Sequence, residues 1–397
     1  MKKIIGLAIV SLFFITGCKK ESPINPTAGA VEQDANVSDA KAKLVAYIKD
    51  HKISPRYGKG SDIELNNQVG KIVAPSKKIN LATNADFNFN LSVVDRVINP
   101  DDYQCGPTIL NDYITKSIQN WTNDDFLLFA YFGSLSFDYA YVYANTDGGQ
   151  YFGSNGQFTN VTNRTYKSLL RFWNIPTDIL LRDAHGNIYD DVAKTKSVLL
   201  LYGYPDSDAT YIATLLKTAF GSAAFMNYKH PLLTFNAFAS PADPFFGTGK
   251  KIVMGDGLQE AYEDLGYSDV ATQLILAHEY GHQVQFAKNV DFGSSPEGTR
   301  RTELMADAFS AYFLTHKRGA AMNWKRIQQC LVVSYSIGDC SFNSYNHHGT
   351  PNQRMKSSTF GYNLASDAQK QGKILSSEEF ITLFDAVLPG ILAPDAH

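Results

Sequence analysis

The chain has 397 residues, enough for one large domain or two modest ones with a substantial core. With 44% hydrophobic and 19% charged residues it reads as globular, which excludes a disordered chain. The net charge of −3, from 36 Lys+Arg against 39 Asp+Glu, leaves no basic surplus for binding nucleic acid or for an electrostatic membrane anchor.

Residues 1–17 read as a targeting segment. Lys2 and Lys3 form a short basic start, and the apolar run from Ile4 to Ile15 is too short to span a bilayer. It ends in Ile15-Thr16-Gly17-Cys18, which resembles a bacterial lipobox. Such a signal is cut before the cysteine, so Cys18 is the expected lipidation site. The lipid would tether the protein to a bacterial membrane, at the outer membrane or cell surface, without a transmembrane helix.

Residues 18–40 are polar and small, with Pro23, Pro26 and Gly29, and read as a flexible tether. A short amphipathic helix is predicted over 39–52, where Leu44, Val45 and Ile48 share one side. The rest of the 41–100 region is rich in Gly and Asn and reads as loops and short strands. A main domain is expected over 101–397. Its first helix is predicted at 111–119, with Leu110, Tyr113, Ile114 and Ile118 at helical spacing. Residues 124–143 are dense in aromatics and fit either a buried helix or strands, because an apolar run carries no period.

Asp147-Gly148-Gly149, Ser154-Asn155-Gly156 and Gly255-Asp256-Gly257 read as turns. Strands are predicted at 197–204, 232–239 and 251–254, with a helix at 209–220. From Ser268, a plausible N-cap, the pattern is mostly helical. The expected fold is therefore α+β, a small mixed sheet followed by a mostly helical C-terminal half. Export permits a disulfide. Cys330 with Cys340 is the most local pairing, and a bridge from Cys105 to either one stays open.

The chemistry concentrates in Ala277-His278-Glu279-Tyr280-Gly281-His282. On a helix, residues i and i+4 share a face, so His278 and His282 can bind one ion together. Glu279 is displaced around the helix, toward a metal-bound water and away from the metal. Downstream, Glu303 and Asp307 are again i and i+4, on a helix with Leu304, Ala308 and Ala311 as its apolar stripe. Set against a merely solvated acidic face, this pattern suits a His₂Glu catalytic zinc site. Glu303 would ligate the ion, and Asp307 would orient a ligating histidine through its other ring nitrogen. The segment 346–354 (Asn-His-His-Gly-Thr-Pro-Asn-Gln-Arg) is either a polar turn before a helix or the source of an oxyanion or substrate-carboxylate contact. His347, His348 and Arg354 are the candidates, with His348 taken as catalytic and Arg354 as substrate-binding.

Three blocks, 277–286, 303–309 and His348-Gly349-Thr350 with Gln353-Arg354, resemble the neutral zinc metallopeptidase family of bacteria, in that family's order and over roughly 230–362. More broadly, they are similar to the gluzincin, thermolysin-like arrangement. The resemblance implies a zincin-like fold, one zinc ion on His278, His282 and Glu303, Glu279 as general base and Asp307 behind the ligands. It also implies an edge strand before the motif helix for substrate to pair with, a place that 251–254 would fill. The first 200 residues carry no such resemblance. The expected activity is zinc-dependent hydrolysis of a protein or peptide substrate. Two alternatives are a surface lipoprotein that keeps the metal but has lost turnover, and a hydrolase of amide bonds in cell-wall peptides.

Overall fold

A computed structural model of the chain describes residues 28–51, 106–144, 149–292, 295–339, 348–370 and 372–394. The signal segment, Cys18, the predicted loops of 55–100, Cys105, Cys340, Asn346 and His347 lie outside them. In chain order the elements are α1 (Ala28–Asp50), α2 (Ile109–Ser117), α3 (Asn123–Phe132), α4 (Leu135–Val142), α5 (Thr159–Phe172), β1 (Leu180–Ala184), α6 (Val192–Leu201) and α7 (Asp206–Phe220). There follow β2 (Ala237–Ser240), β3 (Lys251–Gly255), α8 (Asp256–Asp264), α9 (Ser268–Ala287), α10 (Pro296–Thr315), α11 (Trp324–Ser336), α12 (Pro351–Lys370) and α13 (Ser377–Ile391). The fold is α+β and mostly helical, with one three-stranded sheet among the described residues.

Local chemistry sets many of the helix starts. Thr108 with Asn111, Thr122 with Asp125 and Ser376 with Glu379 form reciprocal capping boxes on α2, α3 and α13. Thr350 and Gln353 exchange the same pair of bonds at 3.2 Å before α12, with Pro351 at its first position. Segment 348–354 is thus a turn that opens a helix.

Several expectations are corrected. Residues 197–204 form the end of α6 and the turn after it, not a strand. Asp191 caps α6 by accepting from the amides of Ala193 and Lys194, and Val198 and Leu199 of the apolar run are buried while Leu200 is exposed. The 232–239 strand shrinks to β2, because Pro231–Thr234 is a 3₁₀ turn. Residues 124–143 are two helices, α3 and α4, separated at Gly133 and Ser134. Helix α1 begins at Ala28, so the later part of the expected tether is helical, in keeping with its alanines. Ser268 lies inside α9, whose cap position is Tyr267. Strand β1 went unpredicted, since Arg182 and Asp183 interrupt its apolar pattern.

The sheet has the order β1-β3-β2, with β1 parallel and β2 antiparallel to β3. Strand β3 is therefore the central strand, where an edge strand was expected. Val253 packs on one face with Phe137 and Tyr141 of α4, while Ile252 and Met254 join the main core on the other. That core runs on through α9, α10 and α12 and reaches Leu44 and Ile48 of α1. Cys330 is buried within it with its thiol against the Met322 sulfur at 3.7 Å, while its expected partner Cys340 lies outside the described residues.

Helix α10 is buried along most of its length between α9 and α12. Two glycines permit this. A Cβ on Gly281 would lie 3.1 Å from Ala306 Cα, and one on Gly361 would lie 2.2 Å from the Ala308 carbonyl oxygen. Gly361→Ala is therefore expected to destabilise the protein by about 1–3 kcal/mol through overpacking. Gly390→Ala, in α13 with open space around its Cβ position, should be neutral or stabilising by up to about 1 kcal/mol. Thermal melts of the two variants beside wild type check this, with a lower Tm expected only for Gly361→Ala.

Candidate metal centre

Helix α9 carries His278, Glu279 and His282 on its buried side, and α10 brings Glu303 and Asp307 against them. The close crossing at Gly281 and Ala306 sets that distance. Gln283 fixes α9 on the sheet by donating to the carbonyls of Ser240 at 3.0 Å and Lys251 at 2.8 Å, the paired ends of β2 and β3.

The ligand atoms converge. His278 Nε2 is 3.2 Å from His282 Nε2 and 3.2 Å from Glu303 Oε2, and His282 Nε2 is 3.4 Å from Glu303 Oε1. Tetrahedral zinc with bonds of about 2.0–2.1 Å spaces its ligand atoms about 3.3–3.4 Å apart. Two imidazole nitrogens and a carboxylate at this spacing fit a divalent ion without rearrangement. His278, His282 and Glu303 thus form a group that could hold a metal.

The far side of each imidazole is fixed as well. His278 Nδ1 lies 2.9 Å from Asp307 Oδ1, and His282 Nδ1 lies 2.8 Å from Gln285 Oε1. An acceptor at Nδ1 places the ring proton there and frees Nε2 for a metal. Gln285 in turn donates to the Thr302 carbonyl at 2.7 Å, so its amide oxygen faces the histidine. Gln285 falls within the 277–286 block. Its i+3 spacing from His282 was the available signal.

Asp307 is held from behind by Arg354. The guanidinium donates through Nε to Oδ2 at 2.8 Å and through Nη2 to Oδ1 at 2.7 Å, and both residues are buried. Two of the three guanidinium nitrogens of Arg354, the expected substrate contact, are thus committed to Asp307. Burial pushes the Asp307 carboxyl up, but Arg354 and His278 outweigh it and hold the group below its usual range. Burial likewise opposes charge on Glu303, and His282, His348 and His278 bring it well below the ordinary carboxylate range.

Glu279 is 7% exposed beside the two histidines. Burial pushes its carboxyl up, and the neighbouring histidines pull it partly back. His348 is fixed from α12's leading turn: its backbone N–H donates to Asp339 Oδ2 at 2.8 Å, and its Nδ1 lies 3.3 Å from the same oxygen. Burial lowers its pKa, yet Glu303 and Asp339 raise it overall. The structure therefore gathers His278, Glu279, His282, Glu303, Asp307, His348 and Arg354 in one place, with Arg354 paired to Asp307. Since β3 is central, the sheet edge beside α9 is β2.

Asp307→Asn leaves Arg354 buried without its counter-charge, which should cost about 3–5 kcal/mol. Zinc affinity should fall about 10–100-fold through the loosened His278 ring. Gln285→Ala releases the His282 ring and the Thr302 carbonyl but strands no buried charge, so it should weaken zinc within the same range at a smaller cost in stability. Chelator competition together with thermal melts measures both effects.

Comparison of the chain with protein-family models, with curated proteins and with solved structures returned no match, so the chemical reading of this centre rests on its residues.

Proposed function

We propose that the protein is a zinc-dependent peptidase of gluzincin type, with His278, His282 and Glu303 as metal ligands and Glu279 as general base. The observation that carries this is the convergence of two histidine Nε2 atoms and the Glu303 carboxylate at 3.2–3.4 Å, with both Nδ1 atoms anchored behind them. Three ligands favour a catalytic site, since structural zinc is usually closed by four. A bound zinc ion supplies Lewis acidity, which polarises a carbonyl and lowers the pKa of water.

The chain's own groups do the rest. Glu279 takes the proton of the attacking water and returns it to the departing amine. A carboxyl raised by burial suits this, because proton transfer is most effective when the base's pKa approaches the working pH. His348, tied to Asp339 through Nδ1, offers Nε2 to the oxyanion that develops on the attacked carbonyl. Asp307, Arg354 and Gln285 keep the ligating rings from turning. In the same proposal, lipid on Cys18 tethers the enzyme to a bacterial membrane. No helix among the described residues is long and apolar enough to cross one.

Zinc content and peptide hydrolysis of wild type, Glu279→Gln and His282→Ala test the reading. Wild type and Glu279→Gln are expected to hold the ion at this centre. Glu279→Gln should lose about 10²–10⁴-fold in rate, and His282→Ala should lose the ion there. Full occupancy of this centre in His282→Ala would sink the ligand assignment. Zinc-loaded wild type that cleaves neither a peptide library nor purified cell-wall fragments would favour a binding lipoprotein. Cleavage of the cell-wall fragments alone would move the substrate to cell-wall peptides.

A further inference from the structure

A second group of metal-ligating side chains lies where the two parallel strands end. Asp183 is in β1, His185 follows it, and Asp256 opens α8 directly after β3. One imidazole nitrogen and two carboxylate oxygens lie within 4.8 Å of one another. Asp183 is 5% exposed and Asp256 is 4% exposed. Both Asp183 carboxylate oxygens and Oδ1 of Asp256 are buried without a hydrogen-bond partner. His185 Nδ1 reaches Asp256 Oδ2 at 2.7 Å, and its Nε2 stands 3.3 Å from Asp183 Oδ2, an ion-pair distance without hydrogen-bond alignment. Among the described residues, no lysine or arginine pairs with either aspartate.

Unpartnered buried carboxylates are costly, and paired or metal-bound ones are the usual resolution. The surroundings are built like a ligand shell. The Tyr151 ring stacks on His185 with centroids 3.9 Å apart, fixing the imidazole plane. Gln150 accepts from the Asp183 backbone amide at 2.9 Å, which pins the strand end. Glu260, one turn along α8 from Asp256, accepts from the Ser154 amide at 2.8 Å and from Gln157 Nε2 at 3.2 Å, so a third carboxylate holds the covering loop. His185 keeps 19% of its side chain exposed, which gives an ion a way in.

We propose that Asp183, His185 and Asp256 form a second divalent-cation site, separate from the His278–His282–Glu303 centre, that takes a zinc-like transition ion. The donor set selects the class. Calcium takes six to eight oxygen ligands, whereas one imidazole with two carboxylates suits zinc and its first-row neighbours. A divalent ion would offset the charge of both aspartates and engage a buried carboxylate oxygen from each. The ion would clamp the ends of β1 and β3 to the start of α8.

The test is metal stoichiometry of the purified full chain, stripped with chelator, reloaded with Zn²⁺ or Ca²⁺ and desalted. Wild type should retain two zinc ions, and His282→Ala and the Asp183→Asn/Asp256→Asn double variant one each. Combining them should leave none. Should the double variant fail to fold by circular dichroism, His185→Gln in the His282→Ala background replaces it. That variant is expected to bind zinc at least tenfold more weakly than His282→Ala alone. One zinc in wild type, lost on His282→Ala and unaffected at Asp183 and Asp256, overturns the second site and leaves the first standing. One zinc lost only with the aspartates does the reverse. Two zinc ions that survive the aspartate substitutions, or calcium retained in place of zinc, also overturn the proposal.

Discussion

Asp307 is the constraint on which the rest of the centre depends. It is buried in α10, accepts from Nε and Nη2 of Arg354, and faces His278 Nδ1 with the same oxygen that takes Nη2. Burying a carboxylate costs several kcal/mol unless it is paired and hydrogen-bonded, and this one is both. The consequence runs forward through the ring. With Nδ1 committed to Asp307, His278 presents Nε2 to His282 and Glu303, and the candidate ligand atoms converge. Arg354 thus reaches the candidate metal centre through Asp307.

That chain of contacts works only if three helices come unusually close. Helix α10 lies between α9 and α12, and the contact points carry Gly281 against Ala306 and Gly361 against Ala308. Small hydroxyls complete the fit, with Ser310 donating to the Leu274 carbonyl at 3.0 Å and Ser357 to that of Leu304. Larger side chains at these crossings would move Glu303 and Asp307 away from the histidines by more than a metal-ligand bond tolerates. The sheet contributes orientation. Gln283 bonds to both members of the Ser240–Lys251 pair, so the motif helix is held to one register of β2 against β3.

The same sheet places the second carboxylate group. Parallel pairing puts the C-terminal ends of β1 and β3 side by side, with Asp183 opposite Met254 and Ala184 opposite Gly255. Asp183 and Asp256 are 73 positions apart in sequence, and this pairing alone makes them neighbours. Buried carboxylates of this kind cost stability unless a counter-charge offsets them, so their presence in a packed fold calls for a partner.

The sequence by itself determined which side chains meet at the main centre. Helical periodicity places His278 with His282 and Glu303 with Asp307, because i and i+4 neighbours on a helix are fixed by backbone geometry alone. It also determined the helical C-terminal half and the α+β class. Tertiary structure decided what local patterns cannot carry. The apolar stretch 198–202 has no period to read, and the Asp191 cap with burial of Val198 and Leu199 made it the end of a helix. Strand β1 was hidden because Asp183 and Arg182 are polar where a strand core is expected to be apolar. The edge position passed from β3 to β2 once β1 paired with β3, a long-range pairing with no local signature. Arg354 looked available for substrate until the fold brought Asp307 to it across 47 residues, since a charged side chain's partner is set by packing and not by its neighbours in sequence.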